Sequence, residues 1–163
     1  MKLKSDRLGI ELSSKQLQKY CDKKVFRRFN DMKESYKNPD NIKINPIIYN
    51  VNIIDLGVFE AGLTIINSGD INGEFYMTKG HKHKIPSKEI YILLSGKGKL
   101  VIVKGKRTKV FNLKGSKIYL IPKNAGHRLI NTGNKKLEVL TIYLKNAGQD
   151  YNFKFNNKRF FKK

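Results

Sequence analysis

From residue 47 onward, apolar residues gather in short runs broken by Gly, Asn and Asp, several of them alternating with polar positions: IIYNVNII, GLTIIN, GEFYMT, EIYILL, KLVIVK, TKVFNL, KIYLIP, HRLIN and LEVLTIYL. Short β-branched and aromatic runs spaced by turn formers predict an all-β sandwich or barrel. In KIYLIP, Ile118, Leu120 and Pro122 fall on one face and Tyr119 and Ile121 on the other, the two-residue period of a strand. KGKRT at 104–108 predicts a tight hairpin turn, and NTGN at 131–134 predicts a second hairpin that joins HRLIN to LEVLTIYL.

Residues 1–45 lack this pattern. Ser13, with Gln16 three residues on, has capping-box spacing and opens a short helix through LQKYCDKK, although the apolar periodicity behind it is weak. VFRRFNDM reads equally well as an edge strand, and MKESYKNPDNIKINP has the Asn, Pro and Asp density of a connector. At the other end, NFKFNNKRFFKK reads as an arm that packs its phenylalanines on the barrel and leaves its lysines in solvent. The chain thus divides into an N-terminal arm over 1–45, a barrel over 46–155 and a basic tail over 156–163.

A chain of 163 residues is long enough to bury a core without covalent staples. Its single cysteine, Cys21, excludes an internal disulfide framework and any CxxC motif, which fits a reducing compartment. No stretch approaches the roughly 20 apolar residues of a membrane span, and MKLKSDRLGIELSSK has no apolar leader core. A cytoplasmic protein without membrane partners is the expectation. The net charge of +21 attracts polyanions and phosphorylated metabolites. Its cations are spread along the whole chain, however, and no zinc-finger, RRM, KH or helix-turn-helix signature accompanies them. Nucleic acid is therefore expected to bind only non-specifically.

The stretch TKGHKHKIPSKEIYILLSG carries the candidate chemistry. Residues i and i+2 of a strand share a face, so His81 and His83 can present both imidazoles to one point. Glu89 follows after a loop containing Pro86, and His127 lies downstream beside a turn. Three imidazoles and one carboxylate suit iron, manganese, nickel or zinc and leave positions open for substrate oxygens. An HxH pair in a lysine-rich loop is often a surface accident; here the spacing argues otherwise. Gly96 follows Glu89 after six residues, Asn131 follows His127 after three, and Pro122 precedes His127 by five.

With those spacings the chain resembles a cupin, a double-stranded β-helix (jelly-roll) barrel whose ligands project inward. GEFYMTKGHKH at 73–83, GHRLINTG at 126–133 and AGQDY at 147–151 are more specific still. Together with RRFNDM and IIYNV, they are similar to the cupin-type, archaeal-type glucose-6-phosphate isomerases, over Arg27 to about Tyr151. The resemblance implies an all-β cupin barrel with an N-terminal extension. It also implies metal ligands His81, His83, Glu89 and His127 and one divalent ion per subunit, with Fe2+ first and Mn2+, Ni2+ or Zn2+ as alternatives. Substrate contacts carry over to Tyr49, Thr64, Thr78, Gly80, Tyr91, Tyr143, Gln149 and Tyr151, with Glu89 as catalytic base and Tyr91 orienting it. The implied reaction interconverts glucose 6-phosphate and fructose 6-phosphate, in glycolysis and gluconeogenesis, by a cis-enediol or a direct hydride shift. A homodimer paired through VFRRFNDM is implied as well.

Three departures accompany the resemblance. Gln149 stands where the family pattern has histidine, and an amide hydrogen-bonds but carries no proton near neutral pH. Lys123, Asn124, Ala125 and Gly126 replace an aromatic stretch before His127, and the loop from His83 to Glu89 is one residue shorter. The competing readings are a non-catalytic or weakly active metal-binding cupin that holds a phosphorylated sugar, and a cupin acting on another sugar phosphate or on oxygen.

Overall fold

The alternating runs become antiparallel strands that enclose one core. The computed structural model describes residues 9–155 and 158–162; parts of the sequence-defined arm (1–8) and tail (156, 157 and 163) lie outside the described residues. In chain order the strands are β1 (Lys23–Arg28), β2 (Ile47–Leu56), β3 (Phe59–Ile66), β4 (Asp70–Ile71), β5 (Glu74–Phe75), β6 (Lys82–His83), β7 (Glu89–Ser95), β8 (Gly98–Lys104), β9 (Arg107–Asn112), β10 (Ile118–Ile121), β11 (Gly126–Asn131), β12 (Leu137–Leu144) and β13 (Gln149–Asp150). One sheet runs β1-β2-β3-β12-β7-β10, and a second has the order β11-β8-β9. Bridges Met77–Ile130 and His81–His127 attach the 77–83 segment to the other edge of β11, and β6 then pairs with β13. Sequence-distant strands lie side by side, β3 with β12 and β8 with β11. This is the crossing order of the double-stranded β-helix that the cupin spacings predict.

The main core lies between the layers and includes Phe29, Ile48, Ile66, Leu100, Ile121, Leu129 and Leu137. A second cluster of Leu17, Ile54, Ala61, Leu63, Ile65 and Leu140 covers the opposite face of the large sheet. Strand pleating separates the two, because Leu63 and Ile65 point away from Thr64, which faces the interior cavity. In β10 the predicted alternation holds: Tyr119 and Ile121 are buried, while Ile118 and Leu120 are exposed.

The KGKRT hairpin forms as expected, with Lys104 opposite Arg107 and Gly105 at φ +57°. The NTGN hairpin does not. β11 pairs with β8, and β12 pairs with β3 and β7, so the chain crosses from one sheet to the other between them. Asn131 is the reason. Its fully buried side chain donates to the carbonyls of Ile66, Asn67 and Lys135 and accepts from Gly133 N–H, which ties the corner to the end of β3.

The helix reading needs correction as well. α1 covers only Ser14–Lys19, capped by Ser13 Oγ, which accepts from Gln16 N–H. Leu17 is its one buried residue, too little apolar face to carry the helix further. By Asp22 the backbone is already bonded to the Ile53 carbonyl, and the sheet edge takes over as β1. VFRRFNDM therefore divides into this edge strand and a 3-10 turn over Phe29–Ser35. At the C-terminal end Phe153, Phe155 and Phe160 pack against the main core, as the arm reading expects.

Candidate active site

His81 and His127 exchange backbone hydrogen bonds (His81 N to His127 O, 3.2 Å; His127 N to His81 O, 2.9 Å), which sets their rings 4.4 Å apart between centroids. His83 follows two residues later on β6, and Glu89 opens β7 from the facing sheet. The four side chains offer ligand atoms that all lie within 4.8 Å of one another. Ser87, in the shortened loop, anchors His83 through its hydroxyl, 2.7 Å from Nδ1. His127 Nδ1 lies 3.3 Å from the Ala125 carbonyl, a partner that can only accept, so Nε2 is left with its lone pair free.

The inner atoms are aimed at a common point and not at each other. Glu89 Oε2 and His127 Nε2 are 2.9 Å apart, yet both are buried without hydrogen-bond geometry to any partner. His83 Nε2 sits 3.2 Å from the same oxygen. Orphaned buried donor atoms of this kind are costly unless a further group completes them. The set of three imidazoles and one carboxylate fits a divalent transition ion.

A neutral His81 and an ionised Glu89 agree with that fit. Burial, with the neighbouring His127, pushes His81 down to about 3, which keeps its imidazole neutral and able to ligate. Burial opposes ionisation of Glu89, but the electrostatic influence of the surrounding imidazoles, His127 first, outweighs it and brings the carboxyl down to about 2. Burial likewise opposes the charged form of His83, and Glu89 more than offsets it, so that ring is shifted up.

Outside the cluster lies a cavity of about 380 Å3, continuous in its lining with an inner recess of about 70 Å3. The recess gathers Tyr49, Thr64, Thr78, Gly80, Tyr91, Tyr143, Gln149 and Tyr151 around His81, Glu89 and His127. The sequence-derived contact residues are therefore brought together on one wall. Thr78 Oγ1 accepts from Leu129 N–H at 3.0 Å, which leaves its proton to donate inward. The Tyr49 hydroxyl is pushed up to about 12, chiefly by burial, and Tyr91 and Tyr143 are also raised for the same first reason. These phenols stay protonated and serve as donors. Tyr151 donates to Gln149 Oε1.

Gly80, at φ +72°, lets the chain bend between Thr78 and His81; a Cβ there would lie 2.5 Å from the Phe155 ring and 3.0 Å from the His127 carbonyl. Sequence reasoning missed the cationic rim. Lys23, Val25 and Arg27 all line the wider cavity, a two-residue period in KKVFRR that would have shown them on one face. Thr141, Glu60 and Lys145 had no comparable signal; Glu60 hydrogen-bonds Tyr143, and Lys145 is paired with Asp55.

Comparison with solved structures supports the fold. An oxalate decarboxylase from Lactobacillus farciminis superposes with a TM-score of 0.52 at 25% identity, over 63% of this chain and 30% of that one. An oxalate oxidase gives 0.51 at 14% identity, over 61% of this chain and 53% of that one. Sequence comparison is more specific. The family model described as glucose-6-phosphate isomerase (GPI) matches residues 2–158. The glucose-6-phosphate isomerase of Thermococcus litoralis is 34% identical over 140 residues, 79% of this chain and 74% of that protein, and that of Pyrococcus abyssi is 35% identical over 141 residues with the same coverage. A match through nearly the whole barrel, on the segments that build the cluster and its recess, places this chain in the glucose-6-phosphate isomerase family.

Proposed function

We propose that this protein catalyses the reversible aldose–ketose isomerisation of glucose 6-phosphate to fructose 6-phosphate. The observation that carries the reading is Glu89: a buried carboxylate shared by two imidazoles and facing a recess ringed with hydroxyl donors. His81, His83, Glu89 and His127 would hold a divalent ion, which supplies Lewis acidity toward substrate oxygens. Ferrous iron is the first candidate, since mixed imidazole–carboxylate sets suit it.

The chain's own groups then do the following. Glu89 would take the proton from C2 and return it to C1 while the O2 hydroxyl proton passes to O1, which converts the C1 aldehyde to a C1 alcohol and the C2 alcohol to a ketone with no net change of atoms. Tyr91 and Tyr143 remain neutral donors toward sugar oxygens. The Thr78 hydroxyl and the Gly80 backbone can take the phosphate oxygens, with Arg27 and Lys23 attracting the dianion from the rim. A direct hydride shift between C2 and C1 uses the same positions.

Gln149 favours a second reading, that of a slow enzyme or a sugar-phosphate binder, because the amide at this wall cannot exchange a proton. A cytoplasmic setting in glycolysis or gluconeogenesis follows from the phosphorylated substrate; among the described residues no helix is long and apolar enough to cross a membrane. A homodimer is supported by β1, an edge strand that carries Phe26 51% exposed, and is checked by light scattering at high salt. The decisive experiment assays fructose 6-phosphate conversion by metal-stripped protein refilled with iron, manganese, nickel or zinc. Metal-dependent turnover that His81→Ala abolishes supports the isomerase. Stoichiometric metal binding with no turnover supports the binder.

A further inference from the structure

On the far side of Tyr151 from the metal cluster lies a separate cavity of about 280 Å3. Four of its lining residues are cationic, Lys79, Arg128, Lys154 and Arg159, against a single acidic one, Glu34. Arg128 is the unusual member. It is 93% buried by its 7% exposure, its guanidinium stacks 4.3 Å from the Phe155 ring centroid, and one of its amino groups donates to the Lys79 carbonyl at 2.8 Å. Its Nε is buried with no hydrogen-bond partner, and the nearby Glu74 carboxylate acts on it only through space, being bonded to Arg159. Arg159, the neighbouring guanidinium, already serves Glu74 at 3.0 Å and the Ser35 carbonyl.

A buried guanidinium with no carboxylate in direct contact, beside a second one and two lysines, leaves an excess of positive charge that an anion would complete. The planar donor faces of two arginines suit a tetrahedral oxyanion. We propose that this cavity is a second anion site, distinct from the metal cavity, that takes a phosphate group as the free ion or as a small phosphomonoester. Tyr151 is the wall common to both cavities, and Lys79 N–H lies 3.5 Å from the Tyr49 hydroxyl of the catalytic recess. An anion bound here would therefore fix the 151–155 segment against the back of the active site.

The test is calorimetric titration of the metal-free full chain with inorganic phosphate, and separately with glycerol 3-phosphate, at ionic strength held constant with sodium chloride so that the general positive field is screened equally. The expected result is a binding event that persists in Thr78→Val and weakens about tenfold in Lys154→Glu, a charge reversal at an exposed position. Arg128→Gln should abolish it; should that variant misfold, Lys154→Glu carries the test alone. Either probe meeting this criterion upholds the site, and the one that binds tells whether the ligand is free ion or ester. Binding that is equal in wild type and Lys154→Glu but lost in Thr78→Val assigns the phosphate to the metal cavity and overturns the proposal, as does no binding by either probe.

Discussion

Gly80→Ala tests whether the bend that builds the recess is as tightly specified as the packing indicates. Gly80 has φ +72°, a region in which an L-residue is strained by about 1–2 kcal/mol. The added Cβ would meet Phe155 ring atoms at 2.5 and 2.6 Å, about 1 Å inside ordinary carbon contact. Retreat of the ring is opposed by Arg128, stacked on it at 4.3 Å, and by Phe153, whose ring centroid is 5.2 Å away. Overpacking at such a site costs about 1–3 kcal/mol, so the total expected loss is about 2–5 kcal/mol. Urea unfolding of metal-free protein measures it directly, read as a fall in midpoint at unchanged slope. The double variant Gly80→Ala/Phe155→Ala separates the two contributions. Removing the ring should recover the steric part, leaving a coupling energy above about 1 kcal/mol in the double-mutant cycle. Destabilisation by Gly80→Ala of less than about 0.5 kcal/mol, or strict additivity with Phe155→Ala, would refute the argument that this glycine and this ring fix one another.

Asn131→Ala should lower stability by about 2–4 kcal/mol in the same urea assay, since it strips a donor from the carbonyls of Ile66, Asn67 and Lys135 at a fully buried corner. The metal-free protein should lose stability on acidification from about pH 6.5 to 3, because unfolded His81 binds a proton that the folded ring, lowered to about 3, refuses. Glu89 adds the same sign lower down: its stabilisation is present above the ordinary value of 4.5 and is lost as pH falls toward about 2, whereas His83, shifted up, contributes the opposite slope as pH rises past 6.5. Urea midpoints across pH 3–8 give the net slope, which Glu89→Gln should flatten at the acid end. Gln149→His should raise kcat with iron bound while leaving metal stoichiometry unchanged; an unaltered kcat would show that a hydrogen-bonding amide suffices at this wall.

The barrel was legible because its strands are short β-branched and aromatic runs set off by turn formers. The runs IIYNVNII, KLVIVK and LEVLTIYL fall within β2, β8 and β12. What alternation cannot convey is which strand a run pairs with. NTGN has the composition of a hairpin, and only the tertiary role of Asn131, bonded to the end of β3, turns it into a corner between sheets. A warning was present in GHRLIN, which lacks alternation: all of β11 is buried, with His127 in the histidine–glutamate cluster and Gly126 so close to Phe153 that a Cβ would lie 2.0 Å from the ring. A strand covered on both faces belongs to the interior of a layered fold and not to a hairpin rim. The overlong helix reading failed for a related reason, because local propensity in CDKK yields to the free edge of β2.

Site residues divide by the same logic. His81, His83, Glu89 and His127 stood out because rare residue types in fixed spacing are improbable by accident, and the structure brings their ligand atoms within 4.8 Å of one another. The tyrosines and threonines of the recess are common strand residues, so spacing alone could not single them out; resemblance did, and the shared lining of one cavity gives that a physical basis. Cations were the hardest to read. In a chain of charge +21 no single lysine or arginine carries a signal, yet position separates three kinds among them. Lys23 and Arg27 face the larger cavity from an edge strand, Lys145 is neutralised by Asp55, and Arg128 is buried with no carboxylate in direct contact. The last kind is the informative one. A solvated lysine costs little to keep, whereas a guanidinium buried without an adjacent acid needs its desolvation offset by hydrogen bonds, ring contacts or a ligand. The excess charge of this protein is therefore best understood by asking which cations have been taken out of water, and at that depth the sequence is silent while the fold is not.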